Sequence, residues 1–421
     1  MRVTQNIPLP DSFYPQPLGR YPGTVYLNSN GQGTNLLALG RRNEYQGHQG
    51  PSLLSALDHA TRNASDWLFG YFSYDLKNHI ENLNSSSEDF LGFPLFHLWQ
   101  PEVVLEWDHQ NLSIHHLGMR EEDLNDLLAQ LSQVRSVRSS EQAVQLVPSM
   151  DKNEYLQRGQ KLIDHIKQGD IYEVNFCQAF VANEVSIDPW QIYCEVNEAT
   201  QAPYSCFMED RNRYCLSASP ELFLQKKGDQ LISSPIKGTI KRGSTPQLDE
   251  ANCLALKHSQ KEQSENVMIV DLVRNDLSRV CRPGSVRVDE LMHIKTLKTV
   301  HQMVSTISGR VNPGVSFLDI LRATFPMGSM TGAPKIRAME LADEAENNRR
   351  GLYSGSIGFF RPNGDFTFNV VIRSLCYNSL NGHLSLMTGS ALTAKSDLEA
   401  EYDEVLLKAK AIVDILAKSP V

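Results

Sequence analysis

The sequence predicts an α+β fold built on a largely antiparallel sheet, and three observations lead there. Short β-favouring runs between turn residues fill roughly the first 120 positions. After Asp151, helical and strand-like segments mix without regular β–α–β alternation. Finally, 41% hydrophobic against 21% charged residues in a 421-residue chain gives ample material for a core, which excludes disorder as the main state. At roughly 150 residues per domain, this length allows two or three domains, or one large domain with an elaboration.

Residues 24–27, 67–74, 102–107 and 113–117 read as strands. Over 121–137 the spacing becomes helical, with Leu124, Leu127, Leu128 and Leu131 on one face. The Ser- and Gln-rich stretch 136–149 is the linker candidate, separating an N-terminal region (1–140) from a second region (150–421). There, helical spacing at 151–168, 249–282, 333–345 and 398–418 mixes with strand-like runs at 171–182, 355–360, 366–377 and 383–387. No internal repeat or low-complexity tract appears.

Charge and cysteine usage narrow the function classes. Forty Lys and Arg against 49 Asp and Glu leave a formal charge of -9, so there is no global basic field for nucleic acid. No run approaches a membrane span, and residues 1–22 lack the apolar stretch of a secretory signal. The seven cysteines (177, 194, 206, 215, 253, 281 and 376) contain no C-x-x-C pair and read as reduced thiols of a cytoplasmic protein.

The residues that suggest chemistry all follow position 150. Glu265, Ile269, Leu272 and Asp276 share one helical face, and a carboxylate in an apolar stripe needs a cation or donors. A buried salt bridge to Arg274 or Arg279 would satisfy it, and so would a metal with a second carboxylate. Glu401 supplies one, at the edge of the face formed by Leu398, Tyr402, Val405, Ala409, Ile412 and Leu416; Glu404 is expected to pair with Lys408 on the surface. Two such glutamates suit Mg²⁺, which takes oxygen ligands and bridges to anionic substrates.

Lys237 sits in Ser234-Pro-Ile-Lys-Gly-Thr239, where flanking Pro and Gly fix the backbone. Such a lysine is either a solvated charge or an amine aimed into a cleft, where desolvation would lower its pKa and make it a nucleophile or base. The small-residue loop Thr324 to Lys335 opens a helix and lacks the spacing of a nucleotide P-loop, while offering backbone N–H groups to an anion. Thr388-Gly-Ser-Ala391 reads as a second such turn, and Arg373, in a strand over 369–375, suits bidentate pairing with a carboxylate. Together these make an inventory for a small dicarboxylate.

From about 150 to 415 the chain resembles the chorismate-utilising enzymes: anthranilate synthase component I, aminodeoxychorismate synthase component I, and isochorismate or salicylate synthases. The resemblance rests on Gly169-Asp-Ile-Tyr-Glu-Val-Asn175, Ser219-Pro-Glu221, Pro235-Ile-Lys-Gly-Thr239 and the run Glu265 to Leu277. It continues through Gly328 to Lys335, Tyr353-Ser-Gly-Ser-Ile-Gly358, Ile372-Arg373, and Gly389-Ser-Ala391 to Glu401. Phe69-Gly-Tyr-Phe-Ser-Tyr-Asp75 resembles the N-terminal part of the two amination enzymes. The resemblance implies two largely antiparallel sheets packed as a sandwich, with helices outside.

It also implies roles. Lys237 stands where anthranilate synthases resemble Pro-Ile-Ala-Gly-Thr, and is similar to the lysine that aminodeoxychorismate synthases are taken to add to C2 of chorismate. Glu221 matches the general acid, and His301 the histidine near the enolpyruvyl group, with a satisfied buried histidine as the plain alternative. Glu265 and Glu401 match the Mg²⁺ ligands. Gly238, Thr239, Gly328, Ser329, Tyr353, Arg373, Gly389, Ser390 and Ala391 match substrate contacts. Glu173 departs from the usual Gln of the amination enzymes and from the base lysine of the isochorismate type, which counts against water addition at C2. Met327 stands where Gly is common. No amidotransferase or pyridoxal-dependent lyase segment is visible, so ammonia is expected from a separate glutamine amidotransferase subunit and the product is expected to be 4-amino-4-deoxychorismate. Anthranilate synthase component I, and a catalytically silent chorismate-binding subunit, are the alternatives.

Overall fold

The computed structural model describes residues 2–62, 64–133 and 143–418. Among them lie two large antiparallel sheets, of twelve and ten strands. The twelve-stranded sheet runs from an edge at Val3–Pro8 through Thr24–Asn28, Tyr204–Asp210, Arg213–Ser219 and Ser374–Asn378 to His383–Thr393 and Glu173–Ala182. The other sheet places Leu68–Phe72 beside Ser356–Phe360, with Leu222–Lys227, Val300–Arg310 and Ile236–Lys241 towards one edge. Strands from residues 1–140 therefore occur in both sheets.

The sheets face each other across a shared apolar layer: Val25, Leu36 and Met208 of one meet Phe69, Trp99 and Ile357 of the other. Full burial of side chains this large stabilises by about 1.5–3 kcal/mol each. Helices cover the outer faces. Lys152–Gln168 and Leu398–Leu416 pack Leu162, Ile166, Val405 and Ile412 on the larger sheet, while Leu53–Arg62, Gln260–Ser278 and Phe317–Thr324 cover the smaller one. The result is the α+β sandwich the sequence suggests.

Local signals set both ends of the first long helix after the linker. Asp151 caps Lys152–Gln168 by accepting from the Glu154 N–H at 2.8 Å, and Gly169 closes it in the left-handed conformation at φ 90°.

Four expectations need correction. The helix expected over 249–282 is two, Pro246–His258 and Gln260–Ser278: Ser259 turns extended (ψ 111°) and its side chain caps the second. The strand expected over 366–377 is also two. Phe366–Asn369 belongs to the smaller sheet and Ser374–Asn378 to the larger, so Arg373 lies at a crossover with φ 50° and not within a strand. The turn expected at 388–391 is the middle of the strand His383–Thr393, where small side chains permit close pairing; a Cβ on Gly389 would meet Cys177 Sγ at 2.6 Å. The helix expected over 121–137 ends at Gln130, and 134–137 lie outside the described residues, as does the first half of the expected linker.

Candidate active site

The site forms where the chain passes between sheets. Glu221 lies between Arg213–Ser219 in one sheet and Leu222–Lys227 in the other, and Arg373 occupies the neighbouring crossover. The two are tied together, because Val370 N–H donates to the Glu221 carbonyl and Ala218 N–H to that of Arg373, both at 3.1 Å. The turn Gly328–Met330 closes over them, and Ser329 Oγ donates to Glu221 Oε1 at 2.6 Å.

Lys237 arrives from the strand Ile236–Lys241. Gly238 takes φ +92° there, and the pairing with Val300–Arg310 slips between Ile236 and Thr239. This bulge depends on glycine, since a Cβ would also meet Glu262 Oε2 at 2.9 Å. The Lys237 side chain is 9% exposed, and its Nζ donates to Glu173 Oε1 at 2.5 Å. Glu173 opens the strand Glu173–Ala182, is itself buried, and is held between Thr393 and Ala333 of the neighbouring strands.

Electrostatics overturn one expectation. Burial alone would push the Lys237 ammonium down, but Glu173, Glu265 and Glu221 outweigh it and hold the pKa well above the ordinary lysine range. The amine is therefore held as an ammonium rather than freed by desolvation. Burial pushes Glu221 up to about 7, although Ser329 and Lys237 favour its ionised form. Glu265 is likewise pushed up to about 7, first by burial, with Glu173 and Glu262 adding and Lys237 opposing. Burial lowers the Arg373 guanidinium, with the Glu221 carboxylate as its opposing neighbour.

Glu265 and Glu401 converge from the helices Gln260–Ser278 and Leu398–Leu416. The Lys261 ammonium stands between them, 2.9 Å from Glu401 Oε1 and 3.9 Å from Glu265 Oε1. Glu265 Oε1 and Glu401 Oε2 are buried with no hydrogen-bond partner. Two oxygen-donor groups with unfilled lone pairs, already collecting one cation, fit Mg²⁺. Among the described residues no three His, Cys, Asp or Glu side chains form a group that could hold a metal ion, so a metal here would need further ligands from outside the chain. The salt bridges suggested for this face differ from those found: Asp276 pairs with Lys335 at 2.6 Å, and Arg274 with Asp271 at 2.7 Å. Glu404 pairs with Lys408 at 2.7 Å, as its spacing suggests.

Other residues divide. Tyr353 is buried 3.7 Å from Cys177 Sγ. Ser390 Oγ lies 3.2 Å from Tyr155 OH, and Gly389 and Ala391 pair with Cys177 and Asn175 in the strand ladder. Thr239 is exposed and accepts a long bond from Gln302 Nε2 at 3.4 Å. The structure does not bring His301 into hydrogen-bond reach of Lys237, Glu221, Glu265 or Glu401. Its Nε2 meets Asp249 Oδ1 and its Nδ1 meets Thr296 Oγ1, both at 2.9 Å, which is the satisfied buried histidine.

Sequence reasoning missed two participants. Lys261 was signalled by its place four residues before Glu265. Glu173 was noticed as a departure, but its pairing with Lys237 joins strands of different sheets and left no local trace.

Residues 23–414 match the model of the chorismate binding enzyme family. The chain belongs to that family. Aminodeoxychorismate synthase component 1 of Bacillus subtilis is 37% identical over 82% of this chain and 75% of its own length. A probable chloroplastic aminodeoxychorismate synthase of rice (Oryza sativa subsp. japonica) is 44% identical over 66% of this chain, which spans only 31% of that relative. The fold matches the crystal structure of anthranilate synthase component I from Streptococcus pneumoniae TIGR4, with a TM-score of 0.80 at 24% identity over 90% of this chain and 92% of that one.

Proposed function

We propose that this chain is the chorismate-aminating component of the p-aminobenzoate branch of folate synthesis, converting chorismate and ammonia to 4-amino-4-deoxychorismate. The observation that carries the reading is Lys237, a buried amine among Glu173, Glu221 and Glu265. Relatives named as aminodeoxychorismate synthases, covering most of this chain, support it.

In this reading Lys237 Nζ adds to C2 of chorismate as the C4 hydroxyl leaves. Glu221, a carboxyl still partly protonated near neutrality, gives the departing oxygen its proton. Ammonia then enters at C4 and expels the lysine. Splitting one difficult substitution into two allylic steps is the gain of covalent catalysis. Arg373 pairs with a substrate carboxylate, and the turn Gly328–Met330 keeps Glu221 oriented through Ser329. Glu265 and Glu401 would hold Mg²⁺, which neutralises substrate charge when bound. Ammonia is supplied by a separate glutamine amidotransferase subunit.

All seven cysteines are free, which suits a reducing, cytoplasmic setting. Among the described residues no helix is long and apolar enough to cross a membrane.

Mass spectrometry of the product from chorismate, Mg²⁺ and excess ammonium tests the reading. A species one mass unit below chorismate, formed without pyruvate, is expected. Anthranilate with pyruvate would overturn the reading in favour of anthranilate synthase chemistry, and unchanged chorismate in the presence of the amidotransferase would point to a silent chorismate-binding subunit.

A further inference from the structure

A lysine nucleophile needs its lone pair, and Lys237 is built to lack one. The buried ion pair with Glu173, at 2.5 Å, holds it as an ammonium against the effect of burial. Some group must take its proton before Nζ can bond to carbon. Glu173 alone stands in hydrogen-bond contact with Nζ among the described residues, through Oε1 at 2.5 Å. Glu221 is engaged by Ser329, and its raised pKa fits the opposite duty of giving a proton away. Glu265 influences Lys237 only through its charge and lies beside Lys261 and Glu401. Glu262 and Glu404, on the two covering helices, also feel the Lys237 charge but make no ion pair with it. Glu173 is 2% exposed, its backbone is fixed on both sides by strand pairing, and its Oε2 is buried without a partner.

We propose that Glu173 is a catalytic base of this chain: it takes the Lys237 proton as the bond to substrate forms and returns it as that bond breaks. The inference rests on the chorismate-aminating reading above. In the first half, a proton passes from Nζ to Glu173 Oε1 and the freed lone pair forms the Nζ–C2 bond. The two ring π pairs shift toward C4, the C4–O bond breaks with its electrons, and the Glu221 proton completes water. In the second half, the ammonia lone pair forms the C4–N bond, the π pairs shift back, and the C2–Nζ electrons return to nitrogen. Nζ then recovers its proton from Glu173, while the new C4 ammonium gives one to Glu221. Both carboxyl groups end as they began, and the sum is chorismate plus ammonia giving aminodeoxychorismate plus water. A glutamine at this position, usual in the amination enzymes that the chain resembles, has no basic oxygen for this shuttle, so the lysine proton must go to solvent.

The test compares wild type, Glu173→Gln and Glu173→Asp with chorismate, Mg²⁺ and saturating ammonium, from about pH 6 to 8.5. Transfer inside the Glu173–Lys237 pair does not depend on bulk pH, and the Glu221 ionisation affects all three proteins alike. The turnover of Glu173→Gln relative to wild type should therefore climb about tenfold per pH unit, one proton's worth, until Lys237 titrates. Glu173→Asp, with the carboxylate withdrawn by one methylene, should be slower at every pH but follow the wild-type profile. A Glu173→Gln ratio that stays flat with pH overturns the proposal, as does a Glu173→Asp profile that copies Glu173→Gln. If Glu173→Gln does not fold, the aspartate profile decides alone. The wild-type product separates the two levels: aminodeoxychorismate with a flat ratio sinks only the role of Glu173, whereas another product sinks the reading beneath it.

Discussion

Two buried carboxylate clusters in this molecule are built to opposite specifications. Asp210, where the sheets face each other, accepts from Arg41 at 2.7 Å, Tyr71 at 2.8 Å, and His97 and Arg213 at 3.0 Å, so both its oxygens are filled. Burial opposes its ionisation, but His97, Arg213 and Tyr71 hold the carboxyl well below its usual range. In the candidate active site, Glu173 Oε2, Glu265 Oε1 and Glu401 Oε2 are all buried without partners. A fold that satisfies one carboxylate so fully is not short of donors. Three of the unpartnered buried oxygens among the described residues belong to carboxylates of the candidate site, and groups of this kind point to a functional site.

The contrast can be broken most directly at the nucleophile. Lys237→Ala should lower amination by more than about 10⁴-fold, as loss of a covalent nucleophile does elsewhere, and should lower the thermal midpoint because Glu173 is left buried without its partner. Turnover and calorimetry on the same preparation check both halves. Glu221→Gln comes next: an acid that cannot ionise or donate properly should cost about 10²–10⁴-fold in kcat. Because the acid form is the active one and burial holds its pKa up to about 7, wild-type turnover should fall as pH rises through that value; a rate that keeps rising to pH 9 would remove Glu221 from this role.

Asp210→Ala should behave in the opposite way. It leaves His97, Arg41 and Arg213 without their partner and should cost about 3–5 kcal/mol in a denaturant titration, while activity per folded molecule is unchanged. Metal binding is a milder lever. Mg²⁺ at about 100 times its dissociation constant should stabilise the protein by about 2.7 kcal/mol, and Glu401→Gln should remove most of that gain without any assay of turnover. Asp271→Asn, which breaks only the exposed pair with Arg274, should change stability by less than about 0.5 kcal/mol and activity not at all.

What the sequence disclosed follows how local each signal is. The helices at 152–168 and 398–416, and the strand at 173–182, carry their periodicity and caps within themselves, and the expected segments agree closely. Glu265 and Glu401 were legible because a carboxylate at an apolar helical face is anomalous on its own. Arg373 was misplaced because its strand-like neighbours belong to different sheets, and a crossover has no periodicity of its own. Gly389 to Ala391 were misread because small residues suit a turn and a close strand pairing equally well. The partners of His301, Asp249 and Thr296, were not legible because they are fixed by tertiary packing, which a motif does not contain.

The placement of Glu401 has a consequence for how the protein comes to life on the ribosome. Lys237, Glu221 and Glu265 are all translated well before the helix Leu398–Leu416, which delivers Glu401 and packs against Lys152–Gln168. A nascent chain that has emerged only as far as the strand His383–Thr393 already holds Lys237, Glu221 and Glu265, but not Glu401. The last helix thus completes the candidate site, and a chain that stops short of it lacks one of the two facing glutamates.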